Sequence, residues 1–495
     1  MGSTASRAAA PHASSPDVPG GAGRRRNAGA PGASRPDRAV ARSRGRAARR
    51  GGRHDVDGSK QHRGCAPVAR GVRIGGRRRR SGPDPPGAHR PSPSPGPPTS
   101  HVPRRARRGR TPLARPGRRD RPGHVRRSAV VPVPLSVLDL SPVPAGSTVA
   151  DALRDTLDLA RSAERAGYAR FWLAEHHVNP GVAGASPAVL MGAVAAATTT
   201  IRVGSGAVQT GHRTPLSVVE DFGTLDGLHP GRIDLGLGRS GGPRPPAREP
   251  DGRGDRVVDG VLIPAPVSLA ALATSPRFRA TTVALRQPGA QAPPYEEFLD
   301  AVEGLIAGTW APGGVEVRAV PGEGAGLQTW VLGSSGGESA VLAGRRGLPF
   351  AANYHVSPAT VLDAVAAYRE AFRPSDRLDR PHVMVSADVV VGTDDAHAAR
   401  IAAGFAPWVH SIRTGVGAIP YPRPEDAEAL PADPALVTDR VATRLVGGPA
   451  TVADALERLR AVTGADELLL TTITHRHTDR VVSQELLARE WATRT

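Results

Sequence analysis

Residues 133–495 predict an α/β fold, a (β/α)8 TIM barrel with a long insertion after the fourth strand. Two observations carry this. Short β-branched or apolar runs recur eight times, and Ala-rich stretches with an apolar period near 3.6 rather than 2 lie between them. Parallel strands need crossover helices, and closing the sheet removes both of its edges. A doubly wound open sheet is the alternative arrangement of the same units.

The eight runs are residues 133–140, 169–176, 201–208, 232–238, 328–334, 348–354, 382–391 and 465–472. After the first comes a helix over 149–166, with apolar Val149, Ala152, Leu153, Leu157, Ala160 and Ala163 on one stripe. Thr148 and Asp151 have the spacing of an N-terminal cap, and Gly167 stands where the helix should stop. A second clear helix is expected over 360–372, and Asp394-Asp395 reads as the cap of another. Residues 241–294 break the rhythm with Pro, Gly and Arg clusters and read as a long loop after strand 4, facing the active-site end.

Residues 1–132 are of another character. Positions 1–130 hold 31 Arg, one Lys and six Asp, a balance of +26, whereas the rest of the chain carries −7. No Phe, Trp or Tyr occurs before position 131. Such a stretch buries too little to offset a backbone ordering cost of roughly 1–2 kcal/mol per residue, so it is expected to be disordered. Blocks such as Arg77 to Arg80 and Arg104 to Arg108 could bind phosphates, which makes a nucleic-acid-binding arm one reading of the chain. Without aromatic residues to stack on bases, a solvated low-complexity tail is preferred. A misplaced translation start is a sharper alternative, because a GUG codon for Val133 would also serve as an initiator. A single cysteine, Cys65, excludes a disulfide framework and a cysteine-based zinc site in the body, and no apolar run approaches the roughly 18 residues of a membrane span. A cytoplasmic protein is expected.

Gly236-Leu-Gly238-Arg-Ser-Gly241 matches a dinucleotide fingerprint, but Pro243, Pro245 and Pro246 prevent the helix that fingerprint must open. Glycines that let a flat ligand approach a strand end are the better reading. Glu175-His176-His177 ends the second strand, where side chains reach a barrel's active-site mouth. Of the two histidines, which point to opposite sides, one is expected to be functional and the other structural. Gly333-Ser334-Ser335-Gly336-Gly337 leads into a helix start and suits a phosphate, or simply a capped turn. His475 and His477 lack a recognisable metal-ligand pattern, and no metal site is expected.

Taken together, Phe171-Trp-Leu-Ala-Glu-His-His177, Ile201-Arg-Val-Gly-Ser-Gly206 and Leu228-His-Pro-Gly-Arg-Ile-Asp-Leu-Gly-Leu-Gly-Arg239 resemble the bacterial luciferase-like family of flavin-dependent monooxygenases, of the alkanal monooxygenase type. Pro134-Leu-Ser-Val-Leu-Asp139 and the 464–468 stretch sit in the matching order, so the resemblance covers residues 133–495. It implies reduced FMN at the strand C-termini, with a deazaflavin dehydrogenase on the same barrel as the rival. It implies O2 and a small organic, aldehyde-like substrate, a separate flavin reductase, and pairing of barrels into a homodimer. His176 matches the family's catalytic histidine. Gly206 and Ala207 match a pair joined by a cis peptide beneath the flavin ring. Gly238 and Arg239 match residues beside the flavin, and Gly333, Ser334 and Ser335 match the phosphate-side loop. Gln209-Thr-Gly-His-Arg213 departs from the family pattern, which leaves that pocket wall unassigned.

Overall fold

The first strand, β1 (Leu135–Asp139), pairs in parallel with β2 (Arg170–Leu173) on one side and with the last strand, β12 (Glu467–Thr471), on the other. That double pairing closes the sheet. We describe a computed structural model covering residues 132–239, 252–268, 272 and 274–494; the basic segment before residue 132 lies outside the described residues. Around the ring, β2 is followed by β3 (Arg202–Ser205), β5 (Ile233–Gly238), β8 (Gln328–Gly333), β9 (Phe350–Asn353), β10 (Val383–Val391) and β12, all parallel. Each of the eight expected runs supplies one barrel strand. The run over 201–208 is interrupted at Gly206–Ala207, where the peptide is cis, and resumes as the short β4 (Val208–Gln209) against the end of β5.

Helix α1 (Val149–Arg165) begins at a reciprocal capping box between Thr148 and Asp151, and Gly167 follows its end at φ +85°. Its buried face runs through Ala152, Leu159, Ala160 and Ala163. Such helices cover the outward-facing strand residues, so Val137, Phe171, Leu173, Val203 and Leu235 lie in the main core.

The alternate residues point into the barrel, because successive strand side chains take opposite faces. At the N-terminal end the interior is polar. Arg170 binds Glu467 at 2.9 Å and Asp234 at 2.7 Å, and Gln328, Arg202 and Ser136 complete the network. Above it Trp172 and Trp330 meet edge to face, 5.2 Å between ring centres, among Leu138, Met384 and Leu469. Gly204 of β3 makes room for this pair: a Cβ there would stand 2.5 Å from the Trp172 indole.

The insertion after β5 corrects the expectation of a loop. It contains a hairpin, β6 (Arg256–Val258) and β7 (Val261–Ile263), and a helix, α4 (Pro276–Leu285). Asp259 and Gly260 between the strands both have positive φ, the geometry that Asp-Gly favours in a two-residue hairpin turn. Val261 and Ile263 join the outer core, whereas α4 buries nothing fully. A second excursion leaves β10; it opens with the helix whose cap was expected at Asp394, α8 (Asp395–Ala402), and goes on through α9 (Phe405–Arg413) and α10 (Pro434–Ala442), which the sequence did not mark. No helix among the described residues is long and apolar enough to cross a membrane.

Candidate active site

The inward parity of β2 runs Arg170, Trp172, Ala174 and then His176, just beyond the strand's end. His176 is half-buried, and its Nδ1 is buried with no partner among the described residues. Burial, with a smaller effect of neighbouring His177, lowers its pKa to about 4. It is therefore a neutral imidazole at pH 7. Two other buried polar atoms at inward positions, Trp330 Nε1 and Thr471 Oγ1, also lack a partner there, which is uncommon in a finished core.

Glu175 and His177 take the opposite face. The fully buried Glu175 carboxylate accepts from His177 Nε2 at 2.8 Å, His212 Nε2 at 3.0 Å, Arg213 at 3.2 Å and the Gln209 amide at 2.8 Å. Burial pushes this carboxyl up, but these bonds together outweigh it and hold the pKa at about 2. The unassigned stretch 209–213 thus has a task, anchoring the end of β2 through Glu175. Glu175, His177 and His212 also have the donor types and closeness of a metal-ligand set. Arg213 and the existing hydrogen bonds already satisfy the carboxylate, which favours the anchor reading.

Gly206 lies on the inward parity of β3, where a Cβ would stand 2.6 Å from Leu138 Cδ1. Gly238, at the end of β5, lies beside Ala207. Arg239 follows and its guanidinium binds Glu338 at 2.6 Å. Glu338 opens the helix α6 (Glu338–Arg345), and Gly333, Ser334 and Ser335 lie just before it, the two serines exposed. Arg239 and the Gly-Ser loop, far apart in sequence, therefore share one side of the mouth. His475 and His477 do not converge: one bonds the Ala145 carbonyl and the other Asp158.

The excursion after β10 supplies an apolar cluster. Phe405, Trp408, Val409, Ala418, Tyr421 and Val437 pack in one cluster with the inward-facing Leu138, Trp172 and Ala351. Asn179 ties this cluster to the end of β2, accepting from the Ala418 amide and donating to the His177 carbonyl, each at 2.9 Å. Little in the sequence distinguishes this helical cluster from ordinary outer helices.

An eight-stranded parallel barrel with polar atoms and glycine-lined backbone gathered at the strand C-termini defines an enzyme whose chemistry lies at that mouth. Comparison with known proteins identifies which. The model of the luciferase-like monooxygenases matches residues 133–261 and 274–467, and the chain belongs to that family, as an oxidoreductase. It is 38% identical over 364 residues to the uncharacterized protein YvbT of Bacillus subtilis, covering 73% of this chain and 97% of that one. To a luciferase-like monooxygenase of Escherichia coli K12 it is 35% identical over 359 residues, 72% of this chain and 96% of the relative. Among solved structures, apo-MsnO8 is 31% identical with a TM-score of 0.60, covering 73% of this chain and 98% of that chain.

Proposed function

We propose that the protein is a flavin-dependent monooxygenase that uses reduced FMN and O2 to oxidise a small, largely apolar substrate of the aldehyde type. The observation that carries this reading is the neutral His176 at the mouth, its Nδ1 without a partner among the described residues, on the same inward parity as Gly206 and Gly238. When bound, reduced FMN supplies the two electrons that activate O2.

The chain's own residues do the rest. Ser334, Ser335 and the amides entering α6 would hold the phosphate, with Arg239 adding positive charge. Backbone at Gly206, Ala207 and Gly238 lets a flat ring lie close. Phe405, Trp408 and Tyr421, packed in the core beside the inward-facing residues, exclude water from this end of the barrel. His176 accepts or returns one proton at its ring nitrogen near neutral pH. The cofactor would arrive reduced, from a separate flavin reductase.

The test mixes the full chain with reduced FMN, O2 and decanal, following oxygen uptake and formation of decanoic acid. FMN-dependent oxidation is expected. If FMN fails to bind while a reduced deazaflavin exchanges hydride with an alcohol–ketone pair, the enzyme is a dehydrogenase instead.

A further inference from the structure

His355 is a second half-buried imidazole, outside the machinery just described. It follows β9, on the inward parity of Ala351 and Asn353. Among the eight strands of the ring, β9 stands four places from β2, so His355 and His176 approach the barrel axis from opposite walls. They are close enough to influence each other's charge.

One orientation of the Ser386 hydroxyl, toward the Ala352 carbonyl, assigns the proton of His355 to Nδ1. Its Nδ1 lies 2.7 Å from Ser386 Oγ, and that hydroxyl donates to the Ala352 carbonyl at 3.3 Å. A hydroxyl has one hydrogen, so with that hydrogen on Ala352 the serine accepts from Nδ1–H. Nε2 then carries the lone pair, and no hydrogen bond among the described residues reaches it.

We infer that His355 is a second proton acceptor of the mouth, held by Ser386 with its Nε2 lone pair free for a ligand between the two rings. The step rests on the flavin monooxygenase reading for its setting: a bound O–H or N–H gives its proton to Nε2, and the imidazolium later returns it to solvent. Among the described residues, Asp388, Arg440 and His176 bear on the charge of this ring. Asp388, on β10, favours the imidazolium, whereas Arg440 of α10 and His176 disfavour it. Arg440 pairs with Asp388 at 3.1 Å, which moderates both effects. Burial is the larger influence and lowers the resting pKa to about 4.

Diethyl pyrocarbonate, which attacks only neutral imidazoles, tests this on the full chain without any turnover. At about pH 5 a free imidazole is mostly protonated, so His355 should be carbethoxylated at least about fivefold faster than N-acetylhistidine added as an internal standard, read by peptide mass spectrometry. Ser386→Ala should slow the reaction severalfold by releasing the tautomer. A His355 that stays unmodified while the standard reacts, or a rate indifferent to Ser386→Ala, overturns the inference. Added FMN should shield His355 and His176. Reaction at His355 without shielding keeps the acceptor but removes the flavin from this mouth, so the two readings fail separately. With decanal and reduced FMN, His355→Gln should lower kcat at least about tenfold with FMN affinity within about twofold, and an unchanged kcat overturns the role.

Discussion

Two adjacent histidines end the second strand, and their surroundings assign them opposite tasks. His176 has a nitrogen without a partner among the described residues, on the barrel's inner face, whereas His177 is held by Glu175. His176→Ala should therefore keep FMN affinity and fold while losing about 10²- to 10⁴-fold in turnover, measured with reduced FMN and decanal. Because its pKa lies near 4 rather than 6.5, the imidazole stays neutral well below pH 6, and the acidic limb of the wild-type rate profile should fall near 4. A limb near the ordinary histidine value would mean that another group titrates. Glu175→Ala tests the anchor: with Arg213, His177 and His212 left without their shared carboxylate, unfolding should become easier by about 3–5 kcal/mol, read from urea denaturation. A change below about 1 kcal/mol would show that water satisfies those donors.

At the level of elements, α6 is a short helix whose start lies beside exposed Ser334 and Ser335 and the Arg239–Glu338 pair. Ser335→Asp brings a second negative charge to that start, next to Glu338. FMN affinity should fall at least tenfold, about 1.4 kcal/mol, by fluorescence titration, while riboflavin, which lacks the phosphate, should be little affected. Equal losses for both ligands would move the phosphate elsewhere and reduce the loop to a turn. The hairpin after β5 teaches a different lesson. Its signal, Val257-Val258-Asp259-Gly260-Val261-Leu262, was present in the chain, but the surrounding Pro and Gly clusters masked it in a reading by composition.

Across the whole molecule, closure depends on charges brought together from several strands at the N-terminal end. Arg170 stands between Asp234 and Glu467, all nearly or fully buried. Burial raises the Glu467 carboxyl, but His382, Arg170 and Ser136 outweigh it and hold it below its usual range. Arg170→Leu should cost about 3–5 kcal/mol of stability, since Glu467 loses its guanidinium partner and Asp234 keeps only Arg202. The sign with pH follows from linkage. A carboxylate with a depressed folded pKa stabilises the fold above its unfolded value, and that stability is lost as pH falls through the folded one. Arg170→Leu removes part of the depression, so acid unfolding, followed by circular dichroism, should begin at a higher pH than in the wild type. An unshifted acid transition would place the closure energy in the apolar layers instead.

The amino-acid sequence by itself determined the strands, their parallel order, the caps at Thr148 and Asp394, and His176 at a strand end, because these rest on local periodicity and on neighbours a few residues apart. The register that closes the predicted ring, the meeting of Arg239 with the start of α6, the apolar cluster after β10 and the facing of His355 by His176 were decided only by the tertiary structure. Ring closure joins residues hundreds of positions apart, and burial, which sets the charge state of both imidazoles, is a property of what surrounds a side chain rather than of the side chain itself.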